Sequence, residues 1–401
     1  METYLLDWAN LLLRWLHVIT AIAWIGSSFY FVWLDNSLEP VTEEAARREG
    51  VGGTLWSVHG GGFYNARKFP VGPPTMPRHL HWFYWESYST WLSGFALFVV
   101  LYLWNAGSFL VDTRRMDWAP WQAGTAALAF LGAGWLVYDQ ICRRVGQVKQ
   151  ADGSEATGRD TLVLALLFAY TVFAAWLACR LFPGRAAFLI TGAMLATIMS
   201  ANVFFWIIPG QRTVVEDLKA GRPLRAIFGQ RGKQRSVHNT YFTLPVLIAM
   251  LSNHYGWLVD HPYNWLVLSA LMLVGALVRA WFVARHKGTA PWPLLAVSLA
   301  VLAALVVALR PAPAPVADDP AVPRFSQVRA VLDQRCVMCH NADNAQKGVM
   351  LHEDASLPWV AMRIREQVVR QRLMPLNNVT GITEEERALL GRWVDAGAPL
   401  R

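Results

Sequence analysis

Residues 161–182 read TLVLALLFAYTVFAAWLACRLF, and residues 186–208 read AAFLITGAMLATIMSANVFFWII. Arg180 is the only charged residue in either run. A helix needs about 20 apolar residues to cross the hydrocarbon core of a bilayer, so each run is long enough to span a membrane. Pro183-Gly184-Arg185 lies between them. Proline and glycine together are typical of a turn, so the two runs predict a tight helical hairpin.

Six further stretches have a similar length and apolar character: 9–34, 82–104, 121–142, 240–257, 264–284 and 293–309. The chain of 401 residues is 54% hydrophobic and 16% charged, whereas a soluble domain carries about 25% charged residues. It also contains 20 Trp residues, and Trp concentrates at membrane interfaces. We therefore predict an all-α fold in which residues 1–310 form an eight-helix transmembrane bundle in a lipid bilayer.

Lys and Arg are distributed unevenly between the predicted loops. Eighteen of them lie in loops 35–80, 143–160, 209–239 and 285–292, and three lie in loops 105–120, 183–185 and 258–263. Basic loops stay in the cytoplasm, so we expect both termini to face outside. The same loops account for the net charge of +8, so we expect no nucleic-acid partner. The chain has neither GxGxxG nor a Walker A motif, so bound dinucleotide and ATP chemistry are unsupported.

The chain after the last predicted span has a different composition. Residues 311–322, PAPAPVADDPAV, predict an extended, semi-rigid linker. It would tether residues 323–401 to the outer face of a bacterial inner membrane, in the periplasm. In this segment Cys336-Val-Met-Cys339-His340 has the spacing of the c-type haem attachment motif. Two thiols on one helical turn reach the two haem vinyl groups, and the next residue directs an imidazole at the iron.

Other interpretations of the motif fit less well. A zinc site would need two more nearby ligands, and His352 is the only other candidate in this segment. A redox dithiol would need a βαβ context. The flanks instead predict a short helix over 323–335 and a last helix that begins with the capping box Thr383–Glu386 and closes at Gly397. This arrangement predicts a small class I cytochrome c domain.

The second axial ligand of that haem is predicted to be Met374, which precedes Pro375 on the loop before the last helix. Met338, Met350 and Met362 are the alternatives. Methionine ligation raises the reduction potential of a haem, which suits a domain that accepts electrons and passes them on. His340 and Met374 are thus the predicted iron ligands.

Several polar residues lie where the membrane makes them unfavourable. His17 is in the middle of the first span, and Glu86 is in the second. Ionisable residues inside a membrane indicate function, although a helix–helix hydrogen bond explains His17 equally well and snorkelling explains Glu86. His59 opens a Gly-Gly-Gly loop that would suit a flat, anionic heterocycle or form a flexible turn. His238 and Asn239 enter the sixth span. His59, Glu86, His238 and Asn239 are the catalytic candidates.

These segments together resemble the family of bacterial membrane-bound, cytochrome c-containing urate oxidases. The resemblance is carried by Trp56, His59-Gly-Gly-Gly-Phe-Tyr64, His81-Trp-Phe-Tyr-Trp-Glu86, Thr90-Trp-Leu-Ser-Gly94, Met199-Ser-Ala-Asn202, Ile207-Ile-Pro-Gly-Gln211, His238-Asn-Thr-Tyr-Phe-Thr-Leu-Pro245, Ser252-Asn-His-Tyr255 and the CxxCH motif. It implies that the chain oxidises urate to 5-hydroxyisourate. Electrons would leave through haem c to a soluble cytochrome c or a terminal cytochrome oxidase, rather than directly to oxygen.

A second resemblance concerns the first span, residues 16–30. It is similar to the first helix of membrane-bound protoporphyrinogen oxidase, which implies that His17 binds haem b. A relay of this kind is also expected from distance, because a cytoplasmic urate site would lie across ~30 Å of hydrocarbon from haem c. His81 and His254 are further candidate ligands. Urate binding in the outer half, beside haem c, would remove the need for a relay.

Two other functions are compatible with the sequence. One is a different membrane redox enzyme, such as a quinol:cytochrome c oxidoreductase, with the same external haem. The other is a transporter or sensor that haem regulates.

Overall fold

The computed structural model describes residues 2–113, 115–259, 261–310 and 323–400. The predicted linker, residues 311–322, lies outside the described residues. Helices in the first 310 residues are α1 (Glu2–Ser37), α2 (Glu44–Arg48), α3 (Trp85–Phe98), α4 (Ala106–Phe109), α5 (Pro120–Arg144), α6 (Asp160–Leu181), α7 (Gly184–Asn202), α8 (Ile208–Lys219), α9 (Ala226–Leu251), α10 (Gly256–Val259), α11 (Asn264–His286) and α12 (Trp292–Ala308). The C-terminal helices are α13 (Phe325–Arg335), α14 (Leu357–Ile364) and α15 (Glu384–Asp395).

A helix occupies each of the eight stretches predicted to span the membrane. Five helical segments in the described residues are long and apolar enough to cross a bilayer: Tyr4–Ser37, Pro120–Arg144, Asp160–Leu181, Gly184–Lys219 and Asn264–His286. The other three differ for visible reasons. Helix α3 continues as a π-helix over Val99–Leu103, α9 begins with a polar half, and α12 has 17 residues. The apolar helices are compatible with a membrane location, and the count of eight spans stays a prediction.

The turn between α6 and α7 is as tight as the sequence predicts. Helix α6 ends at Leu181 and α7 begins at Gly184, with Pro183 as its N-cap. A Cβ atom on Gly184 would clash with the carbonyl oxygen of Val259. Glycine is therefore required where this hairpin packs against the next outer loop.

Helix α7 lies at the centre of the bundle. It packs against α5, α6 and α9, while α11 packs against α9 and α1 packs against α3. Phe188, Ile190 and Met194 of α7 are completely buried. In contrast, large apolar side chains cover the outside of α1: Leu11, Trp15 and Ile22 are each more than half exposed. An apolar outer surface of this kind suits contact with lipid.

Two β-hairpins lie in the loops, and the all-α prediction did not include them. Strands β1 (Gly53–His59) and β2 (Gly62–Lys68) pair antiparallel, as do β3 (Gln147–Lys149) and β4 (Glu155–Thr157). Gly60 and Gly61 turn the first hairpin with φ values of 59° and 80°. A two-residue hairpin turn favours positive φ at both positions, which glycine adopts readily. The Gly-Gly-Gly loop is thus part of a hairpin rather than an irregular turn.

The C-terminal segment forms its own small helical unit with an apolar core. Its predicted capping box is confirmed, because Thr383 Oγ1 accepts from Glu386 N at 3.2 Å and Thr383 N donates to Glu386 Oε2 at 2.8 Å. Arg335 at the end of α13 forms an ion pair with Glu386 of α15 at 3.0 Å, so the first and last helices are joined. The unit contacts the bundle where Asn377 Nδ2 donates to the carbonyl oxygen of Ser108 at 3.0 Å.

Candidate functional site

The CxxCH motif lies on one helical turn that follows α13. Cys339 N and His340 N both donate to the Cys336 carbonyl oxygen at 3.1 Å. Cys336 is buried, and Cys339 is partly exposed. Burial raises the pKa of the Cys336 thiol to about 11, so a free Cys336 is protonated at neutral pH. Both thiols are free and on one turn, as attachment to haem requires.

The His340 imidazole is oriented by a hydrogen bond to the backbone. Its Nδ1 lies 3.0 Å from the Val349 carbonyl oxygen. A carbonyl can only accept, so Nδ1 carries the proton and Nε2 keeps its lone pair. Histidine ligands of metals are typically held in this way, with the second nitrogen bonded to a carbonyl or carboxylate. The side chain therefore fits the role of an iron ligand.

Met374 is held on a well-anchored loop. Its amide donates to the Gln367 carbonyl at 3.0 Å, and its carbonyl accepts from Nη1 of the buried Arg387 at 2.8 Å. Its side chain is partly buried against the core of the C-terminal unit. Met338 and Met362 are 60% and 69% exposed, and Met350, at 37% exposed, is not among the residues that pack against this core. Among the candidate methionines, the geometry thus favours Met374, and the donor set fits haem c.

His17 lies at the wall of a cavity inside the bundle. Its Nδ1 lies 3.1 Å from both the Thr90 carbonyl oxygen and Ser93 Oγ of α3. A Cβ atom on Gly94 would lie 2.7 Å from the ring, so glycine is needed here to admit the imidazole. Because Nδ1 donates to the Thr90 carbonyl, Nε2 remains available as a ligand.

This cavity has a volume of about 390 Å³ and extends to the C-terminal unit. Its wall includes a second imidazole, His254, and two guanidinium groups, Arg14 and Arg185. Leu376 and Asn377, which follow Met374 closely, line it as well. The remaining wall is mostly apolar, with Trp24, Trp91, Phe95 and Phe98 among its residues. Two imidazoles, two cations and aromatic walls fit a haem b with its carboxylates.

His238 and Asn239 belong to a buried polar network on α5, α7 and α9. His238 Nδ1 lies 2.8 Å from the Tyr138 hydroxyl, which accepts from Asn202 Nδ2 at 2.9 Å. Asn202 Nδ2 also donates to Asn239 Oδ1 at 2.9 Å. Asn202 Oδ1 is buried and has no hydrogen-bond partner in the described part of the chain. An unpaired buried acceptor is unfavourable, so it marks a position where a ligand would be stabilised.

An ion pair lies beside this network. Arg235 Nη2 donates to Asp139 Oδ1 at 2.8 Å, and both residues are buried. Trp206 Nε1 donates to the same oxygen at 2.8 Å. The Arg235 guanidinium also lies over the rings of Tyr138 and Trp206. This ion pair joins α5 to α9 at the end of the network that lies nearest the basic loops.

The structure separates the four catalytic candidates of the sequence analysis. His238 and Asn239 belong to one network, and Glu86 lies on α3, where its Oε2 is buried without a hydrogen-bond partner among the described residues. His59 lies at the exposed tip of the β1–β2 hairpin, and no hydrogen bond or ring contact of the described residues joins it to the others. Sequence reasoning missed Tyr138, Asp139 and Arg235. In the sequence, these three residues are marked only as polar or charged residues near the ends of apolar segments.

No cluster of three or more His, Cys, Asp or Glu residues in the described ranges could hold a metal ion. A family model described as "Urate oxidase N-terminal" matches residues 3–310. No curated protein matches the chain. No solved structure matches it either.

Proposed function

The chain belongs to the urate oxidase N-terminal family, and from this membership we propose that it oxidises urate to 5-hydroxyisourate and passes the electrons to haem c. The half-reaction consumes one urate and one water and releases two protons and two electrons. The observation that carries the proposal is the family match over residues 3–310 in a chain that also contains Cys336-Val-Met-Cys339-His340. Haem c would supply one-electron acceptance on the outer face.

The positions of the polar network and of the C-terminal unit support separate sites for urate oxidation and for electron exit, at opposite ends of the bundle. The network of His238, Tyr138, Asn202 and Asn239 lies toward the basic loops, which the charge distribution assigns to the cytoplasm. We place urate oxidation at this end. His238 is a buried imidazole there. Because burial and the neighbouring Arg235 lower its pKa to about 4, it is neutral at pH 7 and offers the substrate a hydrogen-bonding group. The C-terminal unit contacts the opposite face, through Ser108 in the loop 105–120, and would deliver electrons to a soluble cytochrome c or a terminal cytochrome oxidase.

A relay between the two ends is part of the proposal. The cavity that His17, His254, Arg14 and Arg185 line lies inside the bundle and reaches the loop that carries Met374. His17 and His254 would hold a haem b there, and the two guanidinium groups would pair with its carboxylates. A group in this cavity would shorten the path from the inner end to haem c.

The function is tested by comparing reductants under anaerobic conditions. Purified full-length protein is mixed with urate or with a short-chain quinol, and the reduced c-type absorption band is followed. Urate is expected to reduce the haem, and quinol is not. Reduction by quinol alone would instead favour the quinol:cytochrome c oxidoreductase. Uptake of urate into proteoliposomes without any haem reduction would favour the transporter.

A further inference from the structure

Arg279, in the apolar helix α11, is buried and forms no ion pair with any described residue. The residue is 3% exposed. Its Nε and Nη2 atoms are both buried and have no hydrogen-bond partner within the described residues. Removing a guanidinium from water is strongly unfavourable unless a counter-charge or hydrogen-bond acceptors replace the lost hydration. A charge kept in this position therefore indicates a ligand that supplies those acceptors.

One edge of the Arg279 guanidinium is buried and has no hydrogen-bond partner within the described residues. Its Cζ lies 3.7 Å from the ring centroid of Phe29 on α1, a cation–π contact. Nε and Nη2 point in the same direction and form the two-pronged donor edge that binds two adjacent acceptor atoms of a planar anion. The ring of Phe29 thus supports the guanidinium, while the hydrogen-bonding capacity of that edge is unused by the described residues.

Arg279 lies near the inner end of the bundle, where other polar groups also lack partners. Phe31, two residues beyond Phe29, contacts Phe83 with ring centroids 4.7 Å apart. Glu86, on α3, follows Phe83 by three residues. Phe29 and Phe31 are two residues apart and therefore lie on different faces of α1, so Arg279 and the segment that carries Phe83 and Glu86 contact α1 from different sides. Glu86 Oε2 and Asn202 Oδ1 are buried, unpartnered acceptors. These two acceptors share the inner end of the bundle with Arg279, and no hydrogen bond, ion pair or ring contact of the described residues joins either of them to it.

Resting on the proposed function, we propose that the Nε–Nη2 edge of Arg279 is the anion-binding edge of the substrate site. It holds the urate monoanion through two adjacent acceptor atoms of the purine ring system.

The test measures urate binding directly, by equilibrium dialysis with radiolabelled urate and the haem-loaded full-length protein. The variants are Arg279→Gln, Arg279→Lys and the control Arg285→Gln. Arg285 is an exposed arginine on the same helix whose guanidinium lies over Trp281. Arg279→Gln removes the charged partner of the buried urate anion, so we expect its Kd for urate to be at least ~30-fold higher than that of the wild type. Arg279→Lys keeps the positive charge but loses the paired N–H donors of the guanidinium, so an intermediate Kd is expected. Arg285→Gln should match the wild type.

Thermal unfolding separates a ligand-binding role from a structural one. Without urate, Arg279→Gln should unfold at the same temperature as the wild type or higher, because an unpaired buried charge has been removed. Added urate should raise the unfolding temperature of the wild type but not of this variant. A wild-type Kd in Arg279→Gln, or destabilisation of that variant without a binding defect, would overturn the proposal.

Haem reduction is recorded in the same samples, so the two proposals fail differently. Urate that binds through Arg279 without reducing the haem contradicts the proposed oxidation and supports the anion site. Haem reduction with unchanged affinity in Arg279→Gln and Arg279→Lys contradicts the anion site alone. Absence of both binding and reduction in the wild type contradicts both.

Discussion

The imidazole of His340 is oriented by a hydrogen bond to the backbone, from Nδ1 to the Val349 carbonyl oxygen. With the thiols of Cys336 and Cys339 on the same turn, it would complete the attachment site that the CxxCH motif predicts for a c-type haem. We predict that the double variant Cys336→Ala/Cys339→Ala loses the haem peroxidase stain on a denaturing gel, whereas Cys142→Ala/Cys179→Ala, which alters the two buried thiols of the bundle, keeps it. A stained band in the first variant would disprove covalent attachment.

Met374 is expected to be the second axial ligand of the same haem. Its backbone is fixed by Gln367 and Arg387, and its side chain packs against the core of the unit. Met374→Ala should abolish the methionine–iron charge-transfer absorption near the red edge of the spectrum while covalent haem remains. Met362→Ala, at an exposed position, is the control. Loss of the absorption in Met350→Ala instead would identify a different ligand.

Local spacing is the basis of these predictions, whereas the other polar residues of the site come together only through long-range packing. The CxxCH motif, Met374 before Pro375 and the Thr383 capping box each lie within a few residues. In contrast, His238 meets Tyr138 across 100 positions, and Arg235 meets Asp139 across 96. Only the folded structure shows that Nε and Nη2 of Arg279 have no hydrogen-bond partner among the described residues. No pattern in the sequence sets such contacts apart from an ordinary polar residue at the end of a helix.

Among the elements, the α6–α7 hairpin was predicted from Pro183-Gly184-Arg185, and its packing explains why glycine is needed. Gly184→Ala places a methyl group against the Val259 carbonyl. Overpacking of this kind costs about 1–3 kcal/mol, so we expect a lower midpoint in a detergent unfolding titration. Gly132→Ala on α5 is the matched control, because a Cβ atom there meets nothing within 4 Å. Equal midpoints for both variants would show that the α6–α7 turn tolerates the methyl group.

The pairing of α1 with α3 forms much of the internal cavity, and the relay proposal is tested there. Acid–acetone extraction of the wild type should release non-covalent haem at about one per covalent haem, which a pyridine haemochrome spectrum identifies as haem b. His17→Ala should lose the extractable haem and keep haem c. His59→Ala, on the exposed hairpin, should keep both. Fully active wild-type protein without extractable haem or another redox cofactor would exclude the relay.

Other elements differed from the prediction because their determinants are not periodic. The β1–β2 hairpin arises from positive φ at Gly60 and Gly61, and the sequence allowed either a turn or a binding loop there. The π-helical continuation of α3 over Val99–Leu103 has the composition of an ordinary apolar helix. Hydrophobic length alone located the apolar helices correctly and did not reveal these local changes.

At the scale of the whole molecule, the described residues are arranged as the proposed electron path, from the basic loops to the C-terminal unit, would require. Asn202 Oδ1 and the Arg279 edge, which lack partners among the described residues, lie toward the basic loops. A cavity with two imidazoles lies inside the bundle, and the unit with CxxCH contacts the opposite face. The contact between Asn377 and Ser108 places that unit beside a loop that is poor in Lys and Arg. The positive-inside rule assigns this loop to the outside, which is the side on which we propose that haem c lies.

The central claim is that urate delivers its electrons to haem c and not directly to oxygen. The most direct test is anaerobic oxidation of a limiting amount of urate by the purified protein with excess soluble ferricytochrome c. Because the half-reaction releases two electrons, we predict two reduced cytochromes for each urate consumed, with 5-hydroxyisourate as product and no hydrogen peroxide. Urate consumption that requires oxygen, produces peroxide and leaves the haem oxidised would contradict the account.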